Sequence, residues 1–459
     1  MTPPAGTSSG PPDPPPEPPR GARSVLLRAW TQARDQLRSA RTTEPGRLRL
    51  IGAALVVLIV AFGTLSAGEI SARSDAAGDV VHHTQPLSAD AADIYRSLAD
   101  ADTAAASGFL AGAQDPPEVR ERYRDDIGTA SRLLVKAATN TNSSSESGRQ
   151  IAALNEGLPR YTGLIERARA NNRQGLPLGG AYLRYANQQM TKELLPAAEK
   201  LYQAETGRLS QDNDAARMWP LASLALGVLT LGGLFWTQRR DYHRTNRILN
   251  HGLLGATVAA TAVLLWLAVG HAVARADLGD AAHGQKSLAV LNNARINSLK
   301  ARANENLTMV SRGAVLTEDG RTDKYEADFA RSMSNLASAL DEAKALAHDD
   351  VSREPVDTAI SAVARWKKLH TSAGDAANNG DYKGALDRII GESETTGQSF
   401  DQVDAALKTA LGHEQAEFTR SASAGGNALT GLAAGAGVLA LAGAAGILLG
   451  IGRRLSEYR

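Results

Sequence analysis

Four long stretches without a charged side chain constrain the fold of this chain more than any other feature. Each is about 18 residues or longer, which is the length a helix needs to cross the hydrocarbon core of a bilayer. We predict membrane helices over 50–67, 219–237, 253–270 and 427–452. A cleaved signal peptide is the alternative for the first stretch, but the segment that precedes it, 1–49, is too long for the basic segment of such a peptide.

Basic residues beside these stretches predict their orientation. Short loops on the cytoplasmic side of a membrane are enriched in arginine and lysine. We therefore predict a multi-pass protein of the plasma membrane with both termini in the cytoplasm and two large segments, 68–218 and 271–426, outside it. The flanking residues are Arg47 and Arg49 before the first stretch, Arg453 and Arg454 in the tail 453–459, and Arg239, Arg240, Arg244 and Arg247 in the loop 238–252. The four loop arginines are candidate contacts for a cytoplasmic partner.

The N-terminal segment has two parts of different composition. Residues 1–23 are rich in proline, which predicts a disordered cytoplasmic tail. That tail is either a docking peptide or simply solvated chain. Residues 24–49 place apolar side chains on one helical face and arginines on another, which predicts a basic amphipathic helix lying on the inner leaflet.

The two outer segments resemble each other, which indicates a tandem duplication. Similar residues recur in the same order at an offset of roughly 200 positions, and a fixed offset is the signature of an internal repeat. The matches include Ser97-Leu98 with Ser298-Leu299, Gly112 with Gly313, Tyr123 with Tyr325, Arg160-Tyr161 with Arg365-Trp366, and Gly180 with Gly384.

Apolar residues within each outer segment recur every three or four positions, as in amphipathic helices. Breaks rich in Pro, Gly, Asn and Asp divide each segment into four such helices. We therefore predict an all-α membrane protein with four transmembrane helices and two duplicated extracytoplasmic four-helix bundles, over 68–218 and 271–426.

Helix-breaking residues stand where the last helix of each bundle meets the membrane. They are Trp219-Pro220 in the first copy and Gly425-Gly426 in the second. Pro220, Gly425 and Gly426 are candidate hinge residues that would let a bundle helix and its span move separately. The alternative is that proline only starts a new helix, in whose first turn it is well tolerated.

Small residues four positions apart recur in the spans, and such faces let membrane helices pack closely. The pairs are Ser223 with Gly227, Gly255 with Ala259, Gly431 with Gly435, and Gly446 with Gly450.

The sequence offers little for catalysis. It contains no cysteine, so no thiolate can bind a metal or attack a substrate. The spans contain no ionisable residue of the kind that transporters use, and we find no motif for a nucleotide, a catalytic metal or a nucleophile. We expect no enzymatic activity, no catalytic residues, no cofactor and no nucleic-acid partner. His82-His83 is the only pair of adjacent histidines, with no carboxylate at ligand spacing on a predicted helix, so we predict an exposed linker pair and no metal site.

The order of span, four-helix bundle and span resembles the ligand-sensing part of bacterial chemoreceptors and sensor kinases, here as a pseudo-dimer fused in one chain. With its Arg-rich and Ala-rich composition, the layout is similar to the actinobacterial four-pass relay of the glutamate and glutamine sensing system. The resemblance implies an extracytoplasmic amino-acid-binding protein and a cytoplasmic serine/threonine kinase as partners. It carries over no individual binding residue. The alternative function is a structural scaffold of the cell envelope that transmits no signal.

Overall fold

The computed structural model describes residues 44–112, 116–245, 250–391 and 393–456. Regular structure over these ranges is helical, apart from one antiparallel bridge between Leu316 and Asp323. Four helical runs in them are long and apolar enough to cross a membrane: Gly46–Leu110, Leu178–His243, His251–Ser311 and Thr396–Arg453. The predicted all-α fold with four membrane helices is confirmed. The predicted tail 1–23 and most of the predicted amphipathic helix 24–49 lie outside the described residues.

The helices follow one another in the same order in both halves of the chain. The first half forms α1 (Glu44–Asp79), α2 (Gln85–Leu110), α3 (Pro117–Asn140), α4 (Glu146–Arg173), α5 (Leu178–Gln189), α6 (Leu195–Arg217) and α7 (Leu221–Thr245), with π-helical turns at Val80–Thr84 and Met190–Leu194. The second half forms α8 (His251–Ser311), α9 (Lys324–Leu346), α10 (Asp350–Asn378), α11 (Tyr382–Ile390), α12 (Thr396–Leu429) and α13 (Leu432–Ser456).

Polar side chains at the helix starts explain several of these boundaries. A side-chain oxygen before the first turn accepts a hydrogen bond from a backbone N–H that has no partner within the helix. The capping residues are Ser145 for α4, Asp323 for α9, Asp349 for α10, Asp381 for α11 and Thr395 for α12. Thr395 and Gln398 cap each other's backbone N–H groups reciprocally, so the start of α12 is fixed by a complete capping box.

The chain divides into two compact units, and both predicted bundles fall in the same one. The membrane unit contains the described residues of 44–67, 221–266 and 434–456, and the outer unit contains those of 68–220 and 267–433. One hydrophobic core in the outer unit draws residues from both halves, among them Leu98, Tyr161, Leu299 and Trp366. The two predicted bundles are therefore not independent domains but share one interior.

Helices α2 and α8 run side by side through the middle of the outer unit. Lys300 Nζ donates to the hydroxyl of Tyr95 at 2.9 Å, and Thr103 donates to the carbonyl oxygen of Leu299 at 3.0 Å. From Thr103 with Leu299 to Ser107 with Asn306 the contacts advance in the same direction along both helices, so α2 and α8 are parallel here. Residues 97–106 are all buried, so α2 is not the one-faced amphipathic helix that we predicted. It is covered by its own bundle on one side and by the other copy on the opposite side.

Glycines allow a close helix contact in the membrane unit. A methyl group on Gly252 would collide with the backbone of Gly446 and lie 2.6 Å from the Cα atom of Gly450. Asn250 Nδ2 also donates to the carbonyl oxygen of Gly450 at 3.1 Å. The predicted pair Gly446 and Gly450 thus does face a neighbouring helix. Gly255 has open space around it, so the predicted pair with Ala259 does not depend on Gly255 for close packing.

Three predicted boundaries need correction. Gly425 and Gly426 lie inside α12, and the interruption falls at Thr430-Gly431, where Gly431 has a φ of +82° that favours glycine. The predicted fourth span, 427–452, therefore includes a break. Helix α7 continues to Thr245, so residues 238–245 of the predicted loop 238–252 are helical. In the first copy the chain is extended at Met218, and α7 begins directly after Pro220.

Candidate ligand-binding site in the second helical bundle

A cavity of about 740 Å³ opens where four helices of the second bundle meet. The end of α8, the start of α9, the end of α10 and the short helix α11 supply its walls. Pockets of roughly 300 to 1,000 Å³ with a few convergent polar groups are typical of small-molecule sites. The charged and polar lining residues are Glu305, Arg312, Asp323, Glu326, His370, Asp375, Asn378 and Tyr382, and the apolar ones include Met309, Ala373, Ala377 and Ile389.

Glu305 forms the base of this cavity and is fully buried. Its Oε2 accepts hydrogen bonds from Arg302 Nη1 at 2.6 Å and from the hydroxyl of Thr396 at 2.9 Å. Its Oε1 accepts from Trp366 Nε1 at 3.1 Å and contacts His370 Nδ1 at 2.9 Å. Burial favours the neutral acid, but these donors and the positive charges of His370 and Arg302 outweigh it, so the pKa of Glu305 is lowered. Glu305 is therefore a buried carboxylate, and both of its oxygens have hydrogen-bond partners.

His370 links this buried carboxylate to the cavity wall. Its Nε2 lies 3.0 Å from Glu326 Oε1, and its ring stacks on Phe329 with centroids 3.7 Å apart. Burial alone would lower the pKa of His370, but hydrogen bonds to Glu305 and Glu326 and their negative charges raise it to about 9. At neutral pH the ring is an imidazolium held between two carboxylates.

Arg312 occupies an unusual backbone position at the cavity mouth. It follows the last residue of α8 with a φ of +47°, a left-handed conformation that costs a non-glycine residue about 1 kcal/mol. Its guanidinium lies 4.1 Å from the ring centroid of Tyr382. Tyr382 in turn donates its hydroxyl hydrogen to the carbonyl oxygen of Met309 at 3.2 Å, which satisfies one of the last carbonyls of α8.

The first bundle has a buried carboxylate in a comparable place. Asp102 on α2 accepts hydrogen bonds from the hydroxyl of Tyr161 at 3.2 Å and from Asn187 Nδ2 at 2.7 Å. Tyr161 and Trp366 are matched residues in the predicted repeat, and in each half a carboxylate of the first bundle helix bonds to an aromatic side chain of the third. Among the residues that the structure describes, no cation pairs with Asp102 as Arg302 does with Glu305. Burial raises the pKa of Asp102 to about 6, although both hydrogen bonds lower it.

A second charged cluster joins the two copies. Arg122 on α3 lies 2.8 Å from Asp100 and 4.0 Å from Asp404 of α12, and Arg295 on α8 binds Asp404 at 2.6 Å. Asp126 lies beside this cluster, and its pKa is raised to about 8, first by burial and then by the charge of Asp100. The cluster couples charges on α2, α3, α8 and α12 within one interior.

The residues that we predicted as sites lie elsewhere. Arg239 and Arg240 project from the last turns of α7, and the guanidinium of Arg240 lies 5.6 Å from the ring centroid of Trp236. The backbone of Arg244 is helical, while its side chain and Arg247 fall outside the described residues. Arg239 and Arg240 do not line the cavity, and the role of the four arginines as partner contacts stays a prediction. His82 and His83 are exposed in the π-helical turn Val80–Thr84.

Sequence reasoning missed Glu305, Arg312 and His370. In sequence, Arg302 and Glu305 look like an exposed pair three positions apart on a helix. Their burial follows from the central position of α8, which one copy alone does not reveal. The one local signal was the spacing of Trp366 and His370, four residues apart and hence on one helical face.

Comparison with known proteins identifies part of the first copy. Residues 76–214 match the family model of an actinobacterial sensor domain. The matched segment contains Asp102 and Tyr161 and covers less than half of the chain, and the cavity of the second bundle lies outside it. No curated protein and no solved structure matches the chain. Residues 76–214 are thus similar to an actinobacterial sensor domain, which supports a sensor role, and four helices of the described residues are long and apolar enough to span a bilayer, as in a multi-pass membrane protein.

Proposed function

We propose that this protein is a non-enzymatic transmembrane sensor that detects a signal outside the cytoplasm and passes it to a cytoplasmic partner. The continuity of α8 carries the proposal. This helix is unbroken from His251 to Ser311, so the predicted span 253–270 and the cavity residues Glu305 and Met309 belong to one helix. We propose that a ligand-induced shift at the end of α8 is passed along this helix towards the span.

The last bundle helix of each half does not continue directly into its span, whereas the first one does. Helices α6 and α12 end before the following apolar helix starts, at Met218–Pro220 and at Thr430-Gly431. In each half of the chain, one bundle helix continues into its span without a break and the other is separated from its span by a break. We propose that the interruptions act as hinges and that the continuous helices carry the signal. The hinge role of Pro220 fits this scheme, and in the second copy Gly431 takes the role predicted for Gly425 and Gly426.

The chemistry around His370 favours binding over catalysis. A general base needs a free nitrogen lone pair with a pKa near the working pH. Both ring nitrogens of His370 face carboxylates, and its raised pKa keeps it protonated. We propose that this group fixes the shape and charge of the cavity and transfers no proton to a substrate.

We propose an amino acid as the signal, delivered by an extracytoplasmic solute-binding protein, and a cytoplasmic serine/threonine kinase as the receiver. The resemblance of the four-pass layout to the glutamate and glutamine relay supports these partners. In this scheme both termini are cytoplasmic, and Arg239, Arg240, Arg244 and Arg247 contact the kinase. A ligand can shift such a relay only if it binds the two arrangements with unequal affinity.

Copurification tests the proposal. Full-length protein is isolated from membranes of cells grown with and without amino acids, and proteins bound to it are identified. A relay should retain a kinase and a solute-binding protein, with at least one association changing with the nutrient. Replacement of the four loop arginines by alanine should weaken only the cytoplasmic association, whereas Arg149→Ala in the outer unit should change neither. Constant partners under all conditions would instead support an envelope scaffold.

Accessibility labelling tests the orientation. The chain has no cysteine, so a single introduced thiol reports without background. A membrane-impermeant maleimide applied to intact cells should label Ser143→Cys, an exposed site of the outer unit, and leave Tyr242→Cys unlabelled. Labelling of the second variant from outside would reverse the topology, and the proposed function would then be abandoned.

A further inference from the structure

The charges lining the cavity do not all neutralise one another. Glu305 is paired with Arg302, and His370 lies between Glu305 and Glu326. Asp323 is used as the cap of α9, where its carboxylate accepts from two backbone N–H groups. Two charged groups of the lining remain, Arg312 and Asp375, and both are exposed to solvent at the opening of the cavity. Within the described ranges, the Arg312 guanidinium has only its ring contact with Tyr382, and the Asp375 carboxylate has no ion-pair partner, so both are accessible to a ligand.

We infer that this cavity binds a small zwitterion of the free amino-acid class, with its carboxylate on Arg312 and its ammonium on Asp375 and Glu326. A guanidinium offers paired donors that match the two oxygens of a carboxylate. The ammonium would meet Asp375 and Glu326, because Glu326 uses Oε1 for His370 and keeps its other oxygen for a second donor. A ligand with only one charge would engage either Arg312 or the carboxylates, but not both.

The backbone at Arg312 is a second, independent reason to assign a ligand-binding role to its side chain. Position 312 is left-handed and followed by Gly313 at a φ of +76°, so glycine would satisfy the turn without strain. In the first copy the equivalent stretch is ordinary, since Ala111 is right-handed and only Gly112 has a positive φ. Strained residues concentrate at ligand-binding positions, where the side chain has a task that outweighs the conformational cost.

The binding site belongs to the second copy alone. The offset that pairs Tyr161 with Trp366 places Ile165 at the position of His370, and the offset that pairs Gly112 with Gly313 places Ala111 at the position of Arg312. Ile165 is buried in the shared hydrophobic core. The first copy therefore offers neither the imidazolium nor the guanidinium, and the expected stoichiometry is one ligand per chain rather than two.

The apolar part of the lining fits the remainder of such a ligand. Met309, Ala373, Ala377 and Ile389 line the cavity with the charged groups; Met309 is flexible, the two alanines are small, and Ile389 adds branched apolar surface. They can pack against the side chain of an amino acid without adding polar contacts. The inference deepens the proposed function by naming what the outer unit itself recognises, and it rests on that function for the role of the ligand as a signal.

Titration calorimetry on the full-length protein in lipid nanodiscs tests the inference, with each of the standard amino acids as the probe. For each one that binds, its N-acetyl and C-amide derivatives are titrated too. The expected result is one site per chain, with affinity falling roughly 10- to 100-fold when either charge is removed, as for the loss of one charge-assisted hydrogen bond. Equal binding of the derivatives, two sites per chain, or no binding of any amino acid would overturn the inference.

Variants separate loss of binding from loss of folding. Arg312→Gly removes the guanidinium and relieves the backbone strain, so it should abolish binding while leaving the unfolding temperature unchanged or higher. Asp375→Asn should weaken binding at constant fold. Arg321→Ala and Asp387→Asn are the matched controls, since both are exposed residues nearby in sequence that do not line the cavity, and neither should change affinity. Binding that survives in both Arg312→Gly and Asp375→Asn would refute the assignment. Binding at this site without any change in partner association would refute the relay and leave the inference intact.

Discussion

Asn306 donates a hydrogen bond from its Nδ2 to the Oγ of Ser107 over 2.7 Å, and it thereby joins the first helix of one copy to the first helix of the other. The two residues lie near the ends of α2 and α8, beside the end of α8 that lines the cavity. Any sliding of one helix past the other must break or shift this contact. The pair is therefore a direct place to test whether the relay depends on relative movement of α2 and α8.

We predict that a covalent link between these positions blocks signalling. A chain carrying Ser107→Cys and Asn306→Cys should form a disulfide under mild oxidation, since the two side chains touch and no native cysteine competes. Nutrient-dependent partner association should be lost in the oxidised form and restored by reductant. The single-cysteine variants serve as controls. An oxidised protein that still responds would show that the two helices need not move relative to each other.

The raised pKa of His370 predicts a stability that falls at alkaline pH. Its folded-state pKa of about 9 lies above the ordinary value of 6.5, so protonation stabilises the fold. This contribution is fully present below pH 6.5 and is lost as pH rises through 9, with a size of at most ~3 kcal/mol. Thermal unfolding of the full chain in nanodiscs between pH 6 and 10 measures it. His370→Gln should flatten this part of the profile, whereas His82→Gln at an exposed site should leave it unchanged.

The raised pKa of Asp126 predicts that removing its negative charge increases the free energy of unfolding. Its folded-state pKa of about 8 is above the ordinary 3.8, so the neutral acid is the form that the fold prefers. The stability contributed by this proton is present below pH 3.8 and is lost as pH rises towards 8 and beyond. Asp126→Asn keeps the shape without the charge and should stabilise the protein by more than ~1 kcal/mol at pH 8. Chemical denaturation at pH 5 and pH 8 checks this. A variant less stable than the parent at pH 8 would mean that the ionised carboxylate has a favourable partner.

Close helix packing in the membrane unit predicts a difference between two neighbouring glycines. Gly252→Ala places a methyl group against the backbone of Gly446 and Gly450, which cannot move aside as a flexible side chain could. Overpacking of this kind costs about 1 to 3 kcal/mol. Gly255→Ala, in the same helix, meets open space and should be neutral. The unfolding temperatures of the two variants in the same detergent provide the measurement, and equal values would argue against this contact.

Much of the architecture could be predicted because its signals are local. A membrane helix needs only a run of apolar residues long enough for the bilayer, and the runs at 50–67 and 253–270 lie within helices of the structure. The helical period of the outer segments and their polar breaks are also local, which is why the order of helices was predictable. Local patterns failed at Gly425-Gly426, since a helix packed along its length tolerates two glycines and breaks instead where Gly431 adopts a positive φ.

The candidate site could not be predicted because its members come from four helices distant in sequence. Arg302, Glu305, His370 and Thr396 are ordinary polar residues in their own helices, and only packing brings their charges to one buried point. Sequence by itself predicted membrane-spanning helices, a helical fold and two related outer halves, since hydrophobic length and period act residue by residue. Tertiary structure decided that the halves share one core, that residues 294–311 of α8 are covered by their neighbours, and that Arg312 and Asp375 line the same cavity. Those outcomes depend on which helix surfaces pack together, and contacts between residues far apart in sequence determine that packing.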